Sequence, residues 1–180
     1  MASFADPLVR SYRCDELRLA PLLAAIRGRP IQLMRADRIY GADHLRHAAR
    51  LASRALAEGR ARSADLATET LLYAAGERQV HKAIAFLGLA DGARAIAAVA
   101  WDARRVDRDA AATLAGAAGA SALDALAREQ GWTRDDALLE GDASVLDAFG
   151  VTAEERAMFP PARWGELVLE RVALVDVLKA

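Results

Sequence analysis

Between Thr68 and Gly88 the apolar positions follow helical spacing twice, once on each side of a glycine. Leu71, Leu72 and Ala75 serve a first short helix; Val80, Ala83, Ile84 and Leu87, three and four apart, serve a second. Gly76 suits the left-handed turn that ends a helix, so the chain bends there. Arg78, His81 and Lys82 fall within about a turn of the second helix's start. Free backbone N–H groups beside positive side chains form a chemistry for anions.

The rest of the chain surrounds this bend with short elements. Leu8 to Arg13 alternates as a first strand, and Cys14-Asp15 caps a helix through Ile26 with Leu19, Leu22, Leu23 and Ile26 on one face. Ile31 and Leu33 alternate as in a half-buried strand, which continues or resumes through Arg38-Ile39-Tyr40. Gly41-Ala42-Asp43 reads as a turn and cap before a helix over 44–58, closed by Gly59. Its core face carries Leu45, Ala48, Ala49, Ala52 and Leu56, and its polar face the stripe Arg46, Arg50 and Arg54. Ser63 or Asp65 starts the helix that runs to Ala75.

Beyond the bend, Ala93 to Trp101 is an apolar run of buried-strand length. A helix over Ser121 to Gln130 stops at Gly131, Leu138-Leu139 suggests a short strand, and Asp142 caps a small helix ending at Gly150. Thr152 and Glu155 have capping-box spacing. After Pro160-Pro161, Trp164, Leu167, Val168, Val172, Val175 and Leu178 predict an amphipathic helix over Arg163 to Lys179, although VALVDV also suits a strand. The sum is an α+β fold: a two-layer arrangement of a small mixed sheet with many helices, in a single domain spanning 1–180.

Composition narrows the function. With 54% apolar residues and a net charge of −1, this is a globular chain with no global attraction for nucleic acid, so such binding would need a local patch. Nearly all the cations are Arg, Lys standing only at 82 and 179. The single Cys14 rules out an internal disulfide and a thiolate zinc site, and a free thiol suits a reducing cytoplasm. MASFADPLVRSYR lacks the apolar core of a signal peptide, and the Ala- and Gly-rich run Ala110 to Ala127 is a poor membrane span.

Enzymatic signatures are missing. GAAGAS at 116–121 lacks the Gly-Lys-Ser/Thr of a phosphate-binding loop, and there is no G-x-S-x-G elbow. Glu154-Glu155, Asp135-Asp136 and Asp15-Glu16 are adjacent pairs that do not share a helix face. His44 and His47, three apart, with His81 from another helix, would make a three-histidine zinc site; an Arg-rich surface opposes a metal there, and exposed histidines are the default. The arginine stripe is likewise a solvated face unless the helices over 44–58, 64–75 and 78–88 pack as neighbours and merge both basic groups.

The segment Ala36-Asp37-Arg38-Ile39-Tyr40-Gly41-Ala42-Asp43-His44-Leu45, then Glu69, Leu72, Tyr73, Gly76, Arg78, Gln79, Val80, Ala83 and Gly88, then Glu170-Arg171-Val172-Ala173-Leu174, resembles the kinase-binding accessory subunit of the KEOPS complex, in its archaeal type. Coverage runs from Pro30 to Trp101 and again from Asp142 onward. Residues 102–135 match nothing quotable and read as an insertion or divergent segment. The resemblance implies an α+β two-layer fold and no catalysis; beside it, no cofactor and no metal are expected. It implies docking on the small atypical kinase subunit and, through it, on the rest of KEOPS, which threonylcarbamoylates the adenosine next to the anticodon. It also implies recruitment of tRNA by its 3′ CCA end. On that basis Gly76, Arg78, Gln79, His81 and Lys82 are the expected RNA residues, with Arg50 and Arg54 reaching the phosphate backbone. Tyr73 and the Arg78 guanidinium would offer stacking surfaces, unless Tyr73 is core. For the kinase, Leu167, Val168, Arg171 and Val175 on the C-terminal helix are the docking candidates, against internal packing of the same face. Two other functions stand beside this one: a small metal-dependent hydrolase using His44, His47 and His81, and a structural adaptor without RNA binding.

Overall fold

The computed structural model describes residues 7–101 and 119–177. A strand β1 (Leu8–Arg13) is followed by α1 (Leu19–Ile26), β2 (Ile31–Arg35) and a 3-10 turn at Ala36–Arg38. Helices α2 (Gly41–Ala57), α3 (Leu66–Ala75) and α4 (Val80–Leu87) come next, then β3 (Ala95–Ala100). After the undescribed stretch come α5 (Gly119–Glu129), β4 (Thr133–Arg134), a 3-10 turn at Asp136–Leu139, α6 (Ala143–Ala148), α7 (Ala153–Ala157) and α8 (Trp164–Val177). The fold is α+β.

The strands are ordered β2-β3-β1-β4, and every pairing is antiparallel, not mixed. The central strand explains the layering. In β3, Ile96, Ala98 and Ala100 face one way, packing with Tyr12, Ile31 and Leu33 against Leu22 of α1 and Leu123 and Leu126 of α5. Ala97 and Val99 face the other way, with Val9 and Met34, against α2, α3 and α8. Because successive side chains of a strand point to opposite faces, a strand of small apolar residues is buried on both, and helices cover both rather than one.

Local differences from the sequence expectations have local causes. Helix α1 begins at Leu19, later than Cys14-Asp15, because Cys14 and Leu17 donate to the carbonyls of Arg94 and Ala93, and the Asp91 carboxylate accepts from the Leu19 N–H at 2.7 Å. Residues 36–38 turn instead of extending the strand, with Arg35 held on Asp37 at 2.6 and 2.7 Å. Leu138-Leu139 lies in a 3-10 turn capped by Asp135, and the short strand that joins β1 is Thr133–Arg134. Of the alternatives Ser63 and Asp65 it is Asp65 that caps α3, and the caps at Asp142 and Thr152/Glu155 form, whereas Asp43 lies inside α2, which begins at Gly41 with no side-chain cap.

Candidate functional site

The bend is built as its residues dictate. Asp65 accepts from the Thr68 N–H at 2.9 Å to start α3. At its end Gly76 takes φ 65°, while its N–H and that of Glu77 donate back to the carbonyls of Tyr73 and Leu72 at 2.9 and 3.0 Å. That pair of bonds satisfies the last carbonyls of the helix and turns the chain. Helix α4 then starts at Gln79 without any side-chain cap. Its buried residues are Ala83 and Leu87 only; Val80 and Ile84, expected on the core face, are 40% and 53% exposed. Arg78, Gln79, His81 and Lys82 are exposed around them. The outer face of α4 therefore presents a cationic rim about two uncovered aliphatic side chains, beside an open helix start.

Residues of α2, the 3-10 turn, the end of α6 and α8 stand behind this bend. The buried His44 imidazole accepts the Tyr40 N–H on Nδ1 at 3.2 Å, and its Nε2 lies 2.8 Å from the carbonyl of Ala74, two residues before Gly76. With Nδ1 accepting, Nε2 is the protonated nitrogen and donates to Ala74. Burial, chiefly, pushes the imidazole down to about 4, with the neighbouring His47 adding to the shift. The Phe149 ring meets His44 edge-on at 5.2 Å and Phe86 of α4 edge-on at 5.0 Å. The Arg38 guanidinium covers Phe86 at 5.6 Å. A Cβ on Gly76 would lie 3.5 Å from the Arg171 carbonyl oxygen of α8 and 3.9 Å from Phe149. Apart from Phe86 of α4 itself, none of these partners is close in sequence to the bend, and no local pattern marks them.

Tyr73 is core and not a stacking surface: its ring is fully buried and its hydroxyl donates to Asp176 at 2.5 Å. Burial, then the Asp176 carboxylate, raises its phenol well above the ordinary value. Glu69, also fully buried, accepts the N–H groups of Arg62 and Ser63 at 3.0 and 2.8 Å, which pins the loop before α3 to the helix.

The second basic group stands apart along the fold. Helix α3 packs against both α2 and α4. His44, early in α2, touches the end of α3, so Arg50 and Arg54 lie roughly 9 and 15 Å farther along α2. Both are exposed.

The three histidines do not make a metal site. His44 has both ring nitrogens engaged inside the core; His81 lies exposed on α4; and His47 is depressed by burial and then by Arg50 and Arg54. Among the described residues no group of three or more His, Cys, Asp or Glu is gathered to hold a metal ion. Among them also, no helix is long and apolar enough to cross a membrane.

On α8, Leu167, Val168 and Val175 are 3%, 0% and 1% exposed, committed to the chain's own core. A docking partner cannot reach them without unpacking the helix, so the docking face expected of them is not one they offer. Arg171 is half-buried and paired with Glu155 at 2.5 Å, which holds that carboxyl below the usual range. What α8 shows to solvent is a different stripe: partly exposed Leu169 and Ala173 and the exposed Val177, four apart, flanked by exposed Glu166 and Glu170.

No curated protein matches the chain. The family model described as kinase binding protein CGI-121 matches residues 19–131. The match runs from α1 through the bend and across residues 102–131, the greater part of the stretch set apart as an insertion or divergent segment, and ends before Phe149 and α8. With well over half its length matched, and the bend at Gly76 within the match, the chain belongs to the family of the kinase-binding KEOPS subunit CGI-121.

Proposed function

We propose that this chain is a non-catalytic cytoplasmic subunit of an archaeal-type KEOPS assembly, and that it recruits tRNA through the 3′ CCA end while supporting the small kinase. The observation that carries the RNA half is the outer face of α4: Arg78, His81 and Lys82 exposed at an uncapped helix start, with Val80 and Ile84 left uncovered among them. Cations and free N–H groups suit phosphates, and uncovered aliphatic surface suits the faces of unstacked bases. Gly76 and Gln79 shape the turn; Arg50 and Arg54, displaced along α2, suit the tRNA backbone farther from its end. The hydrolase alternative loses its support with His44, whose nitrogens are spent in the core.

For the kinase, the stripe Leu169, Ala173 and Val177 replaces the buried residues as the docking face, with Arg171 at its margin. The test of the RNA half is tRNA binding over a salt series. Arg78→Glu with Lys82→Glu should weaken binding across sequences and lower the slope of log affinity against log salt by about one for each cation lost. Binding that ignores both salt and these substitutions would show that α4 is not the RNA face. For the docking half, Leu169→Arg should abolish co-purification with the kinase while leaving the fold intact.

A further inference from the structure

The bend lies within the family-matched segment, but part of what it leans on does not. Phe149, at the end of α6, and the Arg171 carbonyl, in α8, both come from the C-terminal third. Phe149 occupies a shared position: edge-on to His44 at 5.2 Å, edge-on to Phe86 at 5.0 Å, and 3.9 Å from where a Cβ on Gly76 would stand. One ring thus touches the start of α2 and the underside of α4, and borders the space a Cβ on Gly76 would enter. His44 completes the clamp by donating to the Ala74 carbonyl at 2.8 Å. Neither residue is on the outer face of α4, so neither is placed to meet a ligand there.

We propose that Phe149 and His44 are positioning residues: they set the angle at which α4 leaves Gly76, and with it the spacing of Arg78, His81 and Lys82 before RNA binds. Helix α4 has few other anchors, since only Ala83 and Leu87 of its eight residues are buried. A short helix with two core contacts keeps its orientation through what supports its flank, here Phe86 under the Arg38 guanidinium and against Phe149. The proposal rests on the RNA reading of α4, and the experiment separates the two.

Four variants are compared in the full chain: Phe149→Ala, Phe149→Met, His44→Gln and Lys82→Glu. Backbone hydrogen exchange is followed at residues 76–83, and affinity for a short single-stranded RNA ending in CCA is measured over a salt series. Phe149→Ala should speed exchange at the bend about tenfold while leaving α5 unchanged, and should weaken RNA binding by about three- to tenfold. Its salt slope should match that of the unsubstituted chain, because no cation is removed; only Lys82→Glu should lower it. Phe149→Met, which refills the space and keeps a sulfur against the two rings, should restore most of the affinity. His44→Gln, which keeps a donor toward Ala74, should fall between, and carries the test if Phe149→Ala does not fold. Unchanged exchange at the bend overturns the proposal outright. Faster exchange with unchanged RNA affinity, while Lys82→Glu weakens binding, overturns the positioning role and leaves the RNA reading standing. No effect of Lys82→Glu overturns the RNA reading, and the positioning proposal falls with it.

Discussion

Replacing His44 with glutamine removes the one fully buried group whose protonation the folded chain resists most plainly. In the native protein Nδ1 faces the Tyr40 N–H, a donor, so a proton added there would set two donors against each other inside the core. The imidazole is accordingly pushed from 6.5 down to about 4, mainly by burial. The direction of the linkage follows. Above the unfolded value neither state binds the proton, and His44 contributes its full stability. Between 6.5 and about 4 the unfolded chain carries a proton that the folded chain refuses, so stability falls as pH falls. The slope is about 1.4 kcal/mol per pH unit, and over this interval the loss comes to roughly 3 kcal/mol. Urea unfolding of the unsubstituted chain and His44→Gln, followed by tryptophan fluorescence from about pH 7 to about pH 4, gives the difference in stability at each pH. Taking the difference cancels the carboxylates held low by partners other than His44, such as Asp37 and Asp136, which respond alike in both chains. The difference should shrink steadily on acidification and level off below about pH 4. Parallel curves, with a difference independent of pH, would refute a buried neutral His44.

Three further outcomes are expected. Tyr73→Phe removes the 2.5 Å hydrogen bond to the partly buried Asp176 without changing the ring, and should cost about 1 kcal/mol in urea unfolding. Val168→Asp buries an unpaired carboxylate at a fully buried position and should destabilise by about 3 kcal/mol or more; a stable, folded variant would show that α8 is not packed as described. Thr152→Ala breaks the capping box that starts α7 and should lower stability by about 1 kcal/mol, with Glu155→Ala costing more because it also removes the ion pair to Arg171.

The bend itself was legible in the sequence, since Gly76 ends one helical pattern, another begins four residues later, and a left-handed glycine has a local cause. The caps at Asp65, Asp142 and Thr152 were legible for the same reason: a side chain and a backbone N–H two or three residues away are enough to make them. So were the strand at Leu8–Arg13 and the central run of small apolar residues in β3. What only the tertiary structure decided was which apolar residues are inside. Val80 and Ile84 share helical spacing with Ala83 and Leu87 yet face solvent, because a helix that touches its neighbours along a narrow seam buries fewer positions than its pattern offers. Leu167, Val168 and Val175 have the spacing of a docking face and are core, because α8 lays Val175 against α2 and α3 and packs Leu167 and Val168 with Leu146 of α6 and Val151. The clamp of His44, Phe149, Phe86 and Arg38 brings together residues up to about a hundred positions apart; periodicity reports only on neighbours along the chain, and contacts of that range are set when the layers close on the sheet.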